Sequence, residues 1–170
     1  GKGAGAGIII DGKIYQGAGG ASGEIGKLII YPELNKSNYS EKDFLEYKLR
    51  DTYLLEKANE NGEYSGFDKL MEAYNFGSKA VESVFREHGQ YLAYGASILA
   101  NSFNPEIIIF GGKIKEFGEK YFNYVREYFY KFIKDSIIAK VELAVSKFGN
   151  DGIALGGAVF VLDKIMQFDL

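Results

Sequence analysis

The chain has 170 residues, enough to bury about 70% of its unfolded surface around one core, so a single domain over residues 1–170 is expected. With 20 Lys+Arg against 23 Asp+Glu the formal net charge is −3, which leaves no basic face for a phosphate backbone and argues against DNA binding by these residues themselves. There is no cysteine, hence no disulfide and no thiolate metal site, and no leader-like or membrane-spanning apolar run, so a cytoplasmic chain without membrane contact is expected.

Ten of the 22 glycines fall in the first 26 residues, so the chain opens on backbone that takes positive φ or approaches something closely. Residues 4–10 and 13–16 read as short strands joined by Asp11-Gly12, the pair that a tight type I′ turn favours, which makes a β-hairpin. A glycine-rich loop over 17–26 leads to an apolar run at 28–31, a third strand that Pro32 ends. Ser40 with Asp43 three residues on predicts a capped helix running to about Lys57, and Ser65 with Asp68 repeats the signal for a short helix. Apolar spacing beyond Gly77 suits one long buried helix, stopped by Asn104-Pro105. Residues 107–110 form a continuous apolar run before Gly111-Gly112, as expected of a parallel strand covered on both faces. A helix over 117–133, a strand over 140–145 and an apolar helix over 153–166 close the chain.

Few residues in this order carry chemistry. The opening glycines lack the strand before and the helix after that a dinucleotide fingerprint needs, and no Gly-Lys-Ser/Thr precedes a helix as in a P-loop. Glycines running into a hairpin still expose successive N–H groups to an anion, with a plain structural turn as the equal alternative. Glu24, in Gly23-Glu24-Ile25-Gly26, presents a carboxylate from a loop with little cover; it suits sugar hydroxyls or is a solvated loop acid. Glu46 reads as an exposed first-turn acid. Gly111-Gly112 sits at a strand's carboxyl end, where α/β sheets bind ligands, or is a simple turn. His88, the only histidine, reads as solvated, so no Ser–His–acid set can be assembled.

Taken together these motifs resemble the ROK family of sugar-responsive repressors, sugar kinases and uncharacterised reading frames. Gly1-Lys2-Gly3 is similar to its Gly-Thr-Gly phosphate loop, the segment from Ala6 to Lys13 to its hairpin, and Gly23-Glu24-Ile25-Gly26 to its sugar loop. Asn104-Pro105-Glu106-Ile107-Ile108-Ile109-Phe110-Gly111-Gly112 resembles the adenosine-side strand and turn, and Gly156-Gly157-Ala158 the closing helix. The resemblance implies an α/β fold: the carboxyl-terminal lobe of an actin-like ATPase, ribonuclease H-like fold, with a β-hairpin and mixed sheet flanked by helices. It implies sugar binding at Glu24, Lys27 and Glu46, and, if retained, nucleotide binding at Gly1, Gly3, Gly111 and Gly112. The family's amino-terminal lobe, with its catalytic Asn-Asp pair, and any helix-turn-helix are absent from these residues, so no catalytic residue is assigned.

The departures are specific. The family's sugar loop continues with a histidine and three cysteines that hold zinc, and at those positions stand Lys27, Ser37, Tyr39 and Phe44. The zinc site is therefore expected to be lost. Structural zinc contributes about 10–16 kcal/mol in small peptides, so packing of Tyr39 and Phe44 into the vacated volume is expected to offset it. Lys27 puts a donor-only ammonium where an imidazole would contact sugar, and Lys2 removes a hydroxyl from the phosphate loop. The resemblance implies first a sugar-effector-binding, homodimer-forming part of a transcriptional regulator that meets DNA only through a segment outside these residues. Its alternatives are the lobe of an ATP- and Mg-dependent sugar kinase, and an association domain without ligand. A helix-turn-helix upstream would mark the regulator and an Asp-x-Gly-x-Thr loop the kinase, while apolar surface near 153–168 predicts self-association.

Overall fold

The computed structural model describes residues 3–60, 62, 64–133 and 140–168; for residues 150, 153 and 163–168 the backbone alone is described. Asp11 and Gly12 both take positive φ, 52° and 73°, the geometry of a type I′ turn, and join β1 (Ile9–Ile10) to β2 (Lys13–Ile14) in antiparallel register. Both strands are shorter than the sequence predicts. The hairpin stands apart from any other described strand, and Ile9, Ile10 and Ile14 are exposed, so no neighbour extends the ladder.

The third strand expected at 28–31 is a single antiparallel bridge between Ile29 and Phe44, flanked by Leu45 N–H to the Leu28 carbonyl (2.8 Å) and Ile30 N–H to the Asp43 carbonyl (2.9 Å). That pairing also corrects the helix expected from Ser40 to Lys57. Phe44 must be extended for this stretch to pair with 28–30, so the run is cut into a capped turn at Glu41–Asp43, α1 (Leu45–Lys48) and α2 (Asp51–Asn59). The predicted cap is present: Asp43 Oδ2 accepts from Ser40 N–H and Oγ–H at 2.7 and 2.9 Å.

After α3 (Phe67–Asn75) comes α4 (Lys79–Phe103), which Asn104 ends in the left-handed conformation (φ 43°), one residue before Pro105. β3 (Ile107–Phe110) pairs in parallel with β4 (Glu142–Val145), matching Ile107 to Glu142 and Phe110 to Val145. Contrary to expectation, β3 is covered on one face only. Phe110 is buried, whereas Ile107 and Ile109 are 40% and 60% exposed. Between the two strands runs α5 (Ile114–Phe132), kinked at Gly118, and α6 (Gly152–Phe168) follows β4 with Leu155, Val159, Val161 and Leu162 about half exposed. Among the described residues no helix is long and apolar enough to cross a membrane.

The core lies mainly between α4 and α5. Phe85 meets Tyr121 and Phe117 edge-on, and the three rings are 0–5% exposed. Arg86 closes the rim with two bonds to Glu127 at 2.8 and 2.7 Å.

His88 corrects the sequence reading outright, being 4% exposed in this core with Nδ1 2.6 Å from the Tyr121 hydroxyl. The helical apolar stripe carries it inward, and the phenol satisfies it there. Burial pushes its pKa down to about 4, outweighing the Leu49 backbone and Asp51, which act in the opposite direction. The folded protein thus holds a neutral imidazole, which accepts from the Tyr121 O–H. An unfolded histidine titrates near 6.5, so the unfolded chain binds more protons between these values and His88 makes folding weaken as pH falls. Urea unfolding followed from pH 7 to pH 4 is expected to lose up to about 3 kcal/mol from this group. A His88→Gln variant should show a correspondingly flatter pH profile; an unchanged slope would contradict a buried neutral imidazole.

Candidate functional site

One glycine organises the face that carries the candidate residues. Gly95, in the middle of α4, leaves a notch: a Cβ there would lie 2.9 Å from Leu45 Cδ2 and 3.6 Å from Ile25 Cδ1. Two separate segments therefore rest on the same point. Ile25 belongs to the short 3-10 turn Ile25–Lys27, and Leu45, fully buried, is the first residue of α1. Seating them together brings Lys27 and Glu46 to one place. Gly26 is the second close approach, since a Cβ on it would run into the Ala4 carbonyl oxygen and stand 3.0 Å from Glu46 Cβ. The opening strand is laid over the loop by Ala6 N–H to the Gly23 carbonyl at 2.8 Å.

Glu46 is the centre of what results. Its side chain is 17% exposed, and Oε1 accepts from Lys27 Nζ at 3.1 Å and from an Arg50 guanidinium nitrogen at 3.5 Å. The other Arg50 nitrogen pairs with Glu41. Oε2 faces Gly3, 3.5 Å from where a Cβ of that residue would stand. The expectation of an exposed, solvated first-turn acid is corrected: the residue is in the first turn of α1 but partly buried and ion-paired.

The structure brings together Gly3, Lys27 and Glu46. It does not join Glu24 to them: that side chain is exposed and, among the described residues, has no hydrogen-bond or ion-pair partner. Gly1 and Lys2 lie outside the described residues. Gly111 and Gly112 follow β3 at its carboxyl end, Gly112 with φ 71°, and a Cβ on either would meet nothing within 4 Å. Just beyond them a hollow of about 290 Å³ is lined by residues including Lys115, Glu119, Phe122 and Lys147. The glycine turn is tied to the Glu46 cluster by Lys113, whose Nζ is 2.6 Å from Asp51 Oδ2, next in sequence to Arg50.

Arg50 and Lys113 were not picked out from the sequence. Arg50 stands four residues after Glu46, the spacing at which helical side chains meet, and that signal was available. The Lys113–Asp51 contact spans 62 positions and has no local signature.

Zinc does not fit the segment that follows. Lys27 is an ammonium paired with Glu46; the Tyr39 hydroxyl is bonded to the Glu33 N–H and carbonyl at 3.0 Å each; Phe44 forms the bridge to Ile29. Among the described residues no group of three or more His, Asp or Glu side chains stands close enough to hold a metal. Tyr39 and Phe44 are each partly buried. The loop is closed by polar links instead: the Ser40–Asp43 cap and Lys36 Nζ on Asp43 Oδ1 at 2.7 Å, with the same ammonium 5.1 Å from the Tyr39 ring. Lys36, then the Ser40 N–H and O–H, hold the Asp43 carboxyl down at about 2, so these links persist until strongly acid pH.

Comparison with known proteins places this arrangement. The ROK family profile matches residues 1–164. The chain is 29% identical to the xylose repressor of Caldicellulosiruptor bescii over 184 aligned positions, covering 99% of this chain and 46% of that protein. It is 26% identical to the glucokinase of Halalkalibacterium halodurans, covering 95% of this chain and 54% of that one. It thus spans about half the length of these relatives. Among solved structures, a ROK family glucokinase from Streptomyces griseus, in complex with glucose and AMPPNP, superposes with a TM-score of 0.74 at 23% identity, over 89% of this chain and 55% of that one. The fold is that of the ROK sugar kinases, the actin-like ATPase fold.

Filling the Gly95 notch tests the assembly. Gly95→Ala is expected to stay within about 1 kcal/mol of the parent, a gain in helix propensity set against a contact with the movable tip of Leu45. Gly95→Val should cost about 1–3 kcal/mol in urea unfolding by overpacking, and should expose the bond after Lys27 to trypsin. Protection of that bond in the valine variant would show that the two segments do not share this seat.

Proposed function

Because the chain belongs to the ROK family, we propose that it forms the sugar-effector-binding and dimer-forming part of a ROK-type transcriptional regulator of carbohydrate metabolism. The observation that carries this reading is the convergence of Gly3, Lys27 and Glu46 around the Gly95 seat, where a carboxylate oxygen, Oε2, is left facing bare backbone. A carboxylate accepts hydroxyl protons, and an adjacent ammonium donates to hydroxyl oxygens, so the pair matches the alternating donors and acceptors of a sugar. Glu24, on the same loop, adds a second acceptor when a ligand is present. Regulation needs binding and a change in association, and xylose repressors are among the relatives. DNA would be met by a segment outside these residues.

The glucokinase relatives and the open Gly111-Gly112 turn favour a second reading, the lobe of an ATP-dependent sugar kinase. Gly3, Gly111 and Gly112, with Gly1, would then line the nucleotide. Phosphoryl transfer would further need a carboxylate base, Mg²⁺ and a second lobe closed on the sugar.

Thermal-shift screening of the intact protein against hexoses, acetylated amino sugars and pentoses is expected to yield at least one stabilising sugar. Glu46→Gln should weaken that sugar by about 10- to 100-fold, the range for a hydrogen bond to a charged group. Sugar-dependent ADP release from ATP would favour the kinase, and silence across the panel would leave association as the only role. Dimerisation is expected to use the half-exposed apolar side chains of α6. In sedimentation velocity the protein should run as a dimer and Leu162→Lys should shift it toward monomer; a monomer at all concentrations would refute that assignment.

A further inference from the structure

The two oxygens of Glu46 are not equivalent. Oε1 is shared by the Lys27 ammonium and the Arg50 guanidinium, and Oε2, toward Gly3, has no partner among the described residues. The two cations differ as well. Arg50 is 22% exposed and is divided between Glu46 and Glu41. Lys27 is 62% exposed and directs one of three N–H donors at Glu46, so its remaining donors face solvent beside Oε2.

A neutral sugar would place a hydroxyl on Oε2 and another hydroxyl against the ammonium, leaving the positive charge uncompensated by the ligand. A ligand with a carboxylate next to a hydroxyl answers both groups. Its hydroxyl donates to Oε2 and its carboxylate accepts from Lys27, a charge-assisted bond about twice as strong as a neutral one. Lys27 and Arg50 balance Glu41 and Glu46 in charge, so among these four residues a ligand carboxylate on the solvent side of Lys27 meets no net negative charge. Resting on the sugar reading above, we propose that the ligand of this site is a sugar acid, an aldonate or uronate, and that Lys27 is the residue that selects it over the neutral sugar.

Isothermal titration of the intact protein at physiological salt decides it, using D-xylose against D-xylonate and D-glucose against D-gluconate and D-glucuronate. An acid is expected to bind at least about tenfold tighter than the neutral sugar of the same skeleton, the value of one charged hydrogen bond. Lys27→Gln, at an exposed tip and so compatible with folding, should erase that preference, the acid losing at least about tenfold more affinity than the neutral sugar of the same skeleton. Lys27→Arg should keep the preference. Neutral sugars binding as tightly as their acids would overturn the proposal and leave the sugar site standing, and so would a preference that survives in Lys27→Gln. Displacement of the sugar acid by equimolar acetate would overturn it as well, by reducing the site to general anion attraction. Absence of binding by every acid and every neutral sugar would overturn the proposal together with the sugar reading.

Discussion

The site depends on a notch in one helix, where two apolar side chains from separate segments are seated. A glycine inside a helix costs about 1 kcal/mol relative to alanine, and α4 carries Gly95 at its most crowded face. The cost is offset by the approach it permits: Ile25 and Leu45, twenty residues apart, both reach the helix surface there. Glu46 sits next to Leu45 and Lys27 two residues after Ile25, so the 3.1 Å ion pair between them follows from where their apolar neighbours are anchored. Apolar seating sets the position, and the polar groups then read one another. An exposed ion pair alone, worth at most about 1 kcal/mol, would not hold two segments in register.

A rigid floor makes that seat useful. The α4–α5 interface is packed with aromatic rings at edge-on angles, and its one buried imidazole is satisfied by a phenol, so α4 presents Gly95 from a well-ordered surface. Along the other edge, Lys113 reaches Asp51 and ties the turn after β3 to the start of α2. The glycine turn and the Glu46 cluster are thus joined through Arg50 and Asp51.

The loop between Tyr31 and Phe44 is closed without a group of side chains that could hold a metal among the described residues. Where the family pattern calls for imidazole and thiolates, this chain has an ammonium, a hydroxyl, a phenol and a phenyl ring. Closure is taken over by the Ser40–Asp43 cap, the Lys36–Asp43 pair and the Tyr39 hydroxyl on the Glu33 backbone, with the Ile29–Phe44 bridge at the base. Each such link is far weaker than a zinc centre, and the Lys36–Asp43 pair and the Ile29–Phe44 bridge are only partly buried.

Much of this was readable in the residues. The Asp11-Gly12 turn, the Ser40–Asp43 cap and the stop at Asn104-Pro105 depend on neighbours a few positions away, so the local pattern suffices. The family and its fold were legible from motif order, and Glu46 and Lys27 from their place in it. Other features were set by partners that local pattern does not reveal. His88 looked polar, and the phenol that satisfies it in the core, Tyr121, lies 33 residues on; the helix expected from Ser40 to Lys57 broke because residues 43–45 had to pair with 28–30. Sequence by itself determined which groups are available to a ligand. Which oxygen of Glu46 is occupied, which cation keeps donors toward solvent, and that Oε2 stands beside Gly3 were decided by the tertiary structure alone, since contacts between distant segments depend on packing around Gly95 that no local preference encodes.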